Sequence, residues 1–137
     1  MVQKLLRIGA WLIVVLIILS IGGAIYSHLV QASLRKTGDT FVAAVVAGDT
    51  TKTFNLLSKN AQKQNPVNSA WGDLIPRLGK VFTGHAPVYN NKVVVGKDTI
   101  LTYIISGSDG NKYALTLGMI RQGTGWRVDS FTSNLSN

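Results

Sequence analysis

Three hydrophobic regimes divide this chain. An unbroken apolar run occupies Ile8 to Val30. Apolar residues then recur at helical spacing as far as Gly79, and afterwards alternate with the two-residue period of β-strands. The run spans twenty-three residues without Asp, Glu, Lys or Arg, directly after Lys4 and Arg7. A helix rises about 1.5 Å per residue, so roughly 20 apolar residues cross a ~30 Å hydrocarbon core. The expectation is a membrane anchor within residues 1–32, with Tyr26 and His28 at the interface. The alternative is a cleaved secretory signal with an h-region from Ala10 to Leu19 and small residues at Gly22 and Ala24. Continued apolar character through Ile25, Tyr26, Leu29 and Val30 favours the anchor. The short basic tail places the amino terminus in the cytoplasm and residues 33–137 outside the cell membrane, in a single-pass arrangement.

The second regime predicts helices. From Ser33 to Ala47, the residues Leu34, Phe41, Val42, Val45 and Val46 form one stripe. Gly48 follows as a C-terminal cap, and Asp49 or Thr50 starts a second short helix with Phe54, Leu57 and Ala61 on one face. The polar stretch Gln62 to Ser69, with Lys59 and Lys63 nearby, reads as a loop. A third helix is expected over Ala70 to Leu78, with Trp71, Leu74, Ile75 and Leu78 inward and Pro76 inside it. The third regime predicts four strands: Val88 to Val95, interrupted near Asn90 and Asn91, then Thr99 to Ser106, Lys112 to Gln122, and Trp126 to Thr132. Ser108-Asp109-Gly110-Asn111 is a hairpin signal. Short turns between consecutive strands make an antiparallel meander, and its concave face needs covering by the helices. The fold class is therefore α+β: an N-terminal transmembrane helix, then helices packed on a curved four-stranded antiparallel sheet.

Three local features carry a resemblance. Phe41-Val42-Ala43-Ala44-Val45-Val46-Ala47-Gly48-Asp49 opens the domain, a hairpin closes at Asp109-Gly110, and Gly125-Trp126-Arg127-Val128 leads to Phe131. Together they resemble the nuclear transport factor 2-like (cystatin-like cone) superfamily, in its small membrane-anchored form, over about Ser33 to Thr132. The resemblance implies a cone of sheet and helices. In enzymes of the superfamily the cone holds acid and base side chains, and here the possible lining is Asp73, His85, Tyr89, Tyr103, Tyr113 and Asp129. The membrane-anchored subset includes scaffold subunits of type IV secretion machines, although no motif particular to them is present.

Charge and composition narrow the function. Half of the net charge of +8 comes from Lys4, Arg7, Arg35 and Lys36 beside the apolar run, where anionic headgroups attract it. The other basic residues are scattered singly, so nucleic acid is not an expected partner. Cysteine is absent, which removes disulfides, thiolate metal sites and cysteine nucleophiles. The two histidines, His28 and His85, lie far apart and no acidic cluster has ligand spacing, so neither metal nor cofactor is expected. Glycine-rich phosphate loops and serine elbows are missing as well. Leu115, Leu117, Met119, Trp126 and Val128 would line a concave apolar face, as core or as the wall of a small-ligand cavity. The pocket candidates are Tyr103, Tyr113, Trp126, Asp129 and His85, with no catalytic assignment. The expected function is a non-catalytic extracytoplasmic interaction or assembly domain, held to lipid by its anchor. Its partners would be envelope proteins, and a homodimer is the default because edge strands pair. The alternative is a small-apolar-ligand binder or isomerase-like enzyme using the cone.

Overall fold

A computed structural model describes residues 33–66 and 70–136. The expected anchor at Ile8–Val30 lies outside them, as does part of the Gln62–Ser69 loop. Among the described residues no helix is long and apolar enough to cross a membrane.

Helix α1 covers residues 33–46, followed by α2 (Thr50–Asn55), α3 (Lys59–Gln64) and α4 (Ala70–Phe82). Strands β1 (Val88–Val95), β2 (Asp98–Ser106), β3 (Lys112–Gln122) and β4 (Gly125–Leu135) form one antiparallel sheet in sequential order. The α+β class and the meander agree with the periodicity of the sequence. Alternation along β2 puts Leu101, Tyr103 and Ile105 on the covered face, opposite Leu115, Leu117 and Met119 of β3. The α1 stripe of Phe41, Val42 and Val45 is fully buried with them. Phe41 packs against Trp71 and Phe131, with ring centroids 6.3 and 5.4 Å away. Burying a side chain of this size contributes about 1.5–3 kcal/mol, so this layer is the main stabilising element.

Helix ends follow local chemistry. Gly48 takes φ +66°, its N–H donates to the Val45 carbonyl, and the Asp49 N–H donates to that of Ala44. That pair of bonds closes α1 in a left-handed cap, which glycine adopts without steric cost. The Asp49 carboxylate then caps α2 by accepting from the Lys52 N–H.

Four expectations need correction. The second helix is two short ones, because the chain between them runs beside β4: Ser58 N–H donates to Val128 O, and Val128 N–H donates to Leu56 O. Residues 62–64, expected in a loop, belong to α3, whose N-terminus Ser58 caps by accepting from Ala61 N–H. The third helix continues through Gly79 to Phe82, and Leu74 lies 36% exposed rather than inward. Gly79 ends nothing; it is the point where α4 meets the end of α1. A Cβ there would sit 2.7 Å from the Gly48 Cα. The buried stripe of Trp71, Ile75, Gly79 and Phe82 keeps α4 helical despite Pro76, which lacks an amide donor. Strand β4 runs three residues past Thr132, to Leu135, paired along β3 as far as Tyr113.

Gly79→Ala is therefore expected to lower unfolding stability by about 1–3 kcal/mol, since the obstructing atoms are backbone. Gly125→Ala, with open space around it, is expected to stay within about 0.5 kcal/mol. Urea titrations of the two variants check this contrast.

Candidate functional site

Each of the five sequence-derived pocket candidates has its own surroundings. Tyr103 is 2% exposed beneath α1, and its hydroxyl donates to Asp39 Oδ1 at 2.6 Å. Arg35 donates to the same oxygen at 3.4 Å and stacks its guanidinium 3.6 Å from the centre of the Tyr89 ring. Tyr89 in turn meets Tyr103 edge-on. The cluster clamps α1 to the first hairpin, and it is close-packed: a Cβ on Gly38 would lie 2.7 Å from both the Tyr103 hydroxyl and a Leu101 methyl. Burial, then the bond to Asp39, pushes the Tyr103 phenol well above its ordinary pKa. Burial opposes the charge on Arg35, but Asp39 and the two tyrosines outweigh it and raise that pKa.

Tyr113 belongs to a different clamp. Its hydroxyl donates to Asp109, which raises the phenol and lowers the carboxylate, and Asp109 also accepts from the Asn111 N–H across the hairpin turn. The Tyr113 ring packs edge-on against Phe82. Asp129, at the irregularity where β4 shifts register against β3, accepts from the buried Ser58 hydroxyl at 2.6 Å. Trp126 is half-buried against the core, with the Arg121 guanidinium 5.9 Å from its ring centre. His85 lies in the α4–β1 connection, its amide donating to Phe82 O.

Two cavities among the described residues bear on these candidates. A cleft of about 320 Å³ is lined by Asn65, Ala70, Trp71, Asp73, Leu74, Arg77 and Phe131. A depression of about 120 Å³ on the uncovered sheet face is lined by Asp98, Ile100, Gly118, Asp129 and Ser130. Asp129 is the single pocket candidate that borders either one. Periodicity marked Trp71 as a core residue, and its part in the cleft depends on Phe131, sixty positions away in sequence and 6.1 Å between ring centroids. The cleft combines an aromatic floor with a carboxylate and a guanidinium one helical turn apart. No group of three His or Asp side chains among the described residues is placed to hold a metal ion.

The same architecture occurs in a solved protein of unknown function from Shewanella baltica OS155, described as NTF2-like. The two align with a TM-score of 0.57 over 78% of this chain and 94% of that one, at 12% identity. The chain has an NTF2-like fold. A second NTF2-like protein of unknown function, from Cytophaga hutchinsonii ATCC 33406, aligns with a TM-score of 0.45 at 15% identity, over 74% of this chain and 88% of that one. No family model and no curated protein matches the sequence. This likeness is one of fold alone. It does not assign a reaction, since one architecture serves many functions.

The clamp at Tyr103 has a pH signature. Its folded-state pKa is raised, so its contribution is complete below the ordinary tyrosine value of about 10 and is lost as pH rises through the folded value. Tyr103→Phe is expected to cost about 1 kcal/mol at neutral pH and to flatten the alkaline decline in stability. Urea midpoints of the two proteins, taken from neutral pH to about pH 11, measure this. An unchanged alkaline slope would contradict the assignment.

Proposed function

We propose that this chain is a single-pass membrane protein whose C-terminal cone is a non-catalytic interaction and assembly domain outside the cell membrane. The observation that carries the proposal is the filled concave face. Leu101, Leu115, Leu117, Met119 and Val128 are 0% exposed, covered by Phe41, Val42 and Val45 of the same chain. An enzyme or carrier that works inside a cone needs that volume for its ligand. Polar side chains with acid or base chemistry are instead engaged in clamps: Tyr103 with Asp39, Tyr113 with Asp109, Asp129 with Ser58. The apolar run at Ile8–Val30 supports the anchor, and Lys4 and Arg7 support the cytoplasmic amino terminus. Envelope proteins and further copies of the chain are then the partners within reach.

The cleft between Trp71 and Phe131 favours a second reading, a binding site for a small aromatic ligand. The two readings separate in one experiment on the full-length chain in detergent. A panel of small apolar and aromatic compounds is expected to leave the unfolding temperature unchanged. A ligand of the cleft present at about a hundred times its Kd would add roughly 2.7 kcal/mol of stability, lost in Trp71→Ala. That result would replace the interaction reading with the binder. Resistance of the chain to alkaline carbonate extraction from membranes tests the anchor separately, and release into the supernatant would refute it.

A further inference from the structure

The two edges of the sheet are treated differently. At β4 the chain covers the first part of its own edge: residues 56–58 run alongside Val128, Ser58 N–H donates to Val128 O at 2.8 Å, Val128 N–H donates to Leu56 O at 2.9 Å, Lys59 N–H donates to the Gln122 side chain, and Arg127 donates to Asn55 O. At β1 nothing among the described residues does so. Val93, Val94 and Val95 are 47%, 64% and 57% exposed, and every residue from Asn90 to Val95 is exposed. A bare, β-branched edge strand is a template for another strand.

The local geometry specifies the template. β1 and β2 are joined by Gly96-Lys97, with Val95 paired to Asp98 and Gly96 at φ +60°. Such a two-residue turn makes the flanking pair a hydrogen-bonded one, and bonded and non-bonded pairs then alternate along the ladder. Val95, Val93 and Asn91 thus bond inward to β2, while the amides and carbonyls of Lys92 and Val94 point to the free side. The register shift between Tyr89 and Asn91 ends the regular ladder. Five residues remain, Asn91 to Val95, centred on Val93.

Resting on the interaction reading above, we infer that β1 pairs antiparallel with β1 of a second copy about a two-fold axis at Val93. In this register Lys92 and Val94 of one chain exchange both backbone bonds with Val94 and Lys92 of the other. Val93 faces Val93 across a non-bonded pair, and Asn91 faces Val95. The segment is self-complementary: the outward-pointing groups of each copy meet the outward-pointing groups of the other, as a two-fold contact requires. No like charges lie directly opposite. The two Lys92 side chains are diagonal neighbours on one face, so the dimer strengthens as salt screens them. A five-residue ladder falls at the small end of interfaces, below about 1,200 Å², so the association is weak and reversible.

The absence of native cysteine makes the test direct. Single variants Val88→Cys, Val93→Cys, Val95→Cys and Ile104→Cys of the full-length chain, in mild detergent, are exposed to a gentle oxidant. A disulfide needs Cβ atoms roughly 3.5–4.5 Å apart, so Val93→Cys is expected to form covalent dimer about tenfold faster than the others. Val93→Lys places like charges on the axis and is expected to give monomer in sedimentation while keeping the parent unfolding temperature. Fastest cross-linking at Ile104→Cys would move the contact to the open sheet face, refuting this pairing but leaving the interaction reading intact. Monomer at every position with the fold intact would show that no second copy binds β1. The interaction reading itself stands or falls on the ligand panel above.

Discussion

One face of the four-stranded sheet cannot be left to water, and α1, together with α4, covers it. The rest of the structure follows from that contact. Phe41, Val42 and Val45 pack in one cluster with Leu115, Leu117 and Met119, and all six are fully buried. Because α1 lies so close, position 38 has no room for a side chain, and the helix can be tied to the first hairpin through Asp39 and Tyr103. Its glycine-capped end then meets Gly79 backbone to backbone, which sets where α4 crosses and brings Trp71 against Phe41. The polar clamps fix how α1 and the hairpins are placed, while each buried aromatic or aliphatic side chain of this layer contributes about 1.5–3 kcal/mol.

Much of this architecture is legible in the sequence, for a physical reason: alternation and helical periodicity report which face a residue must hide. β1 and β3 run between the residues expected, and the buried stripe of α1 is the one its spacing implies. Two of the misreadings share one cause. Gly79 resembles a helix stop until Gly48 is seen packed against it, and α2 and α3 resemble one helix until Val128 is seen bonded to the chain between them. Partners that are remote in sequence decided both. The same holds for the site residues. Tyr103, Tyr113 and Asp129 have the chemistry of a polar lining, but their roles depend on Asp39, Asp109 and Ser58, and pattern alone does not reveal those pairings.

The asymmetry of the sheet edges bears on function more than any single polar group does. One edge is closed by the chain's own backbone near Val128, while the other offers the amides of Lys92 and Val94 to whatever extended strand approaches. On the proposed reading, the filled interior and the open edge serve assembly. The Trp71–Phe131 cleft is the feature on which the alternative ligand-binding reading rests.

Residue-resolved amide hydrogen exchange on the dilute monomer tests this account most directly. It predicts strong protection for Val128, although its strand lies at an edge, and free exchange for Val94 and Lys92 beside well-protected Val93. Equal protection of Val94 and Val128 would mean that the β1 edge is covered within the single chain. The open edge, and with it the assembly role built on that edge, would then be wrong.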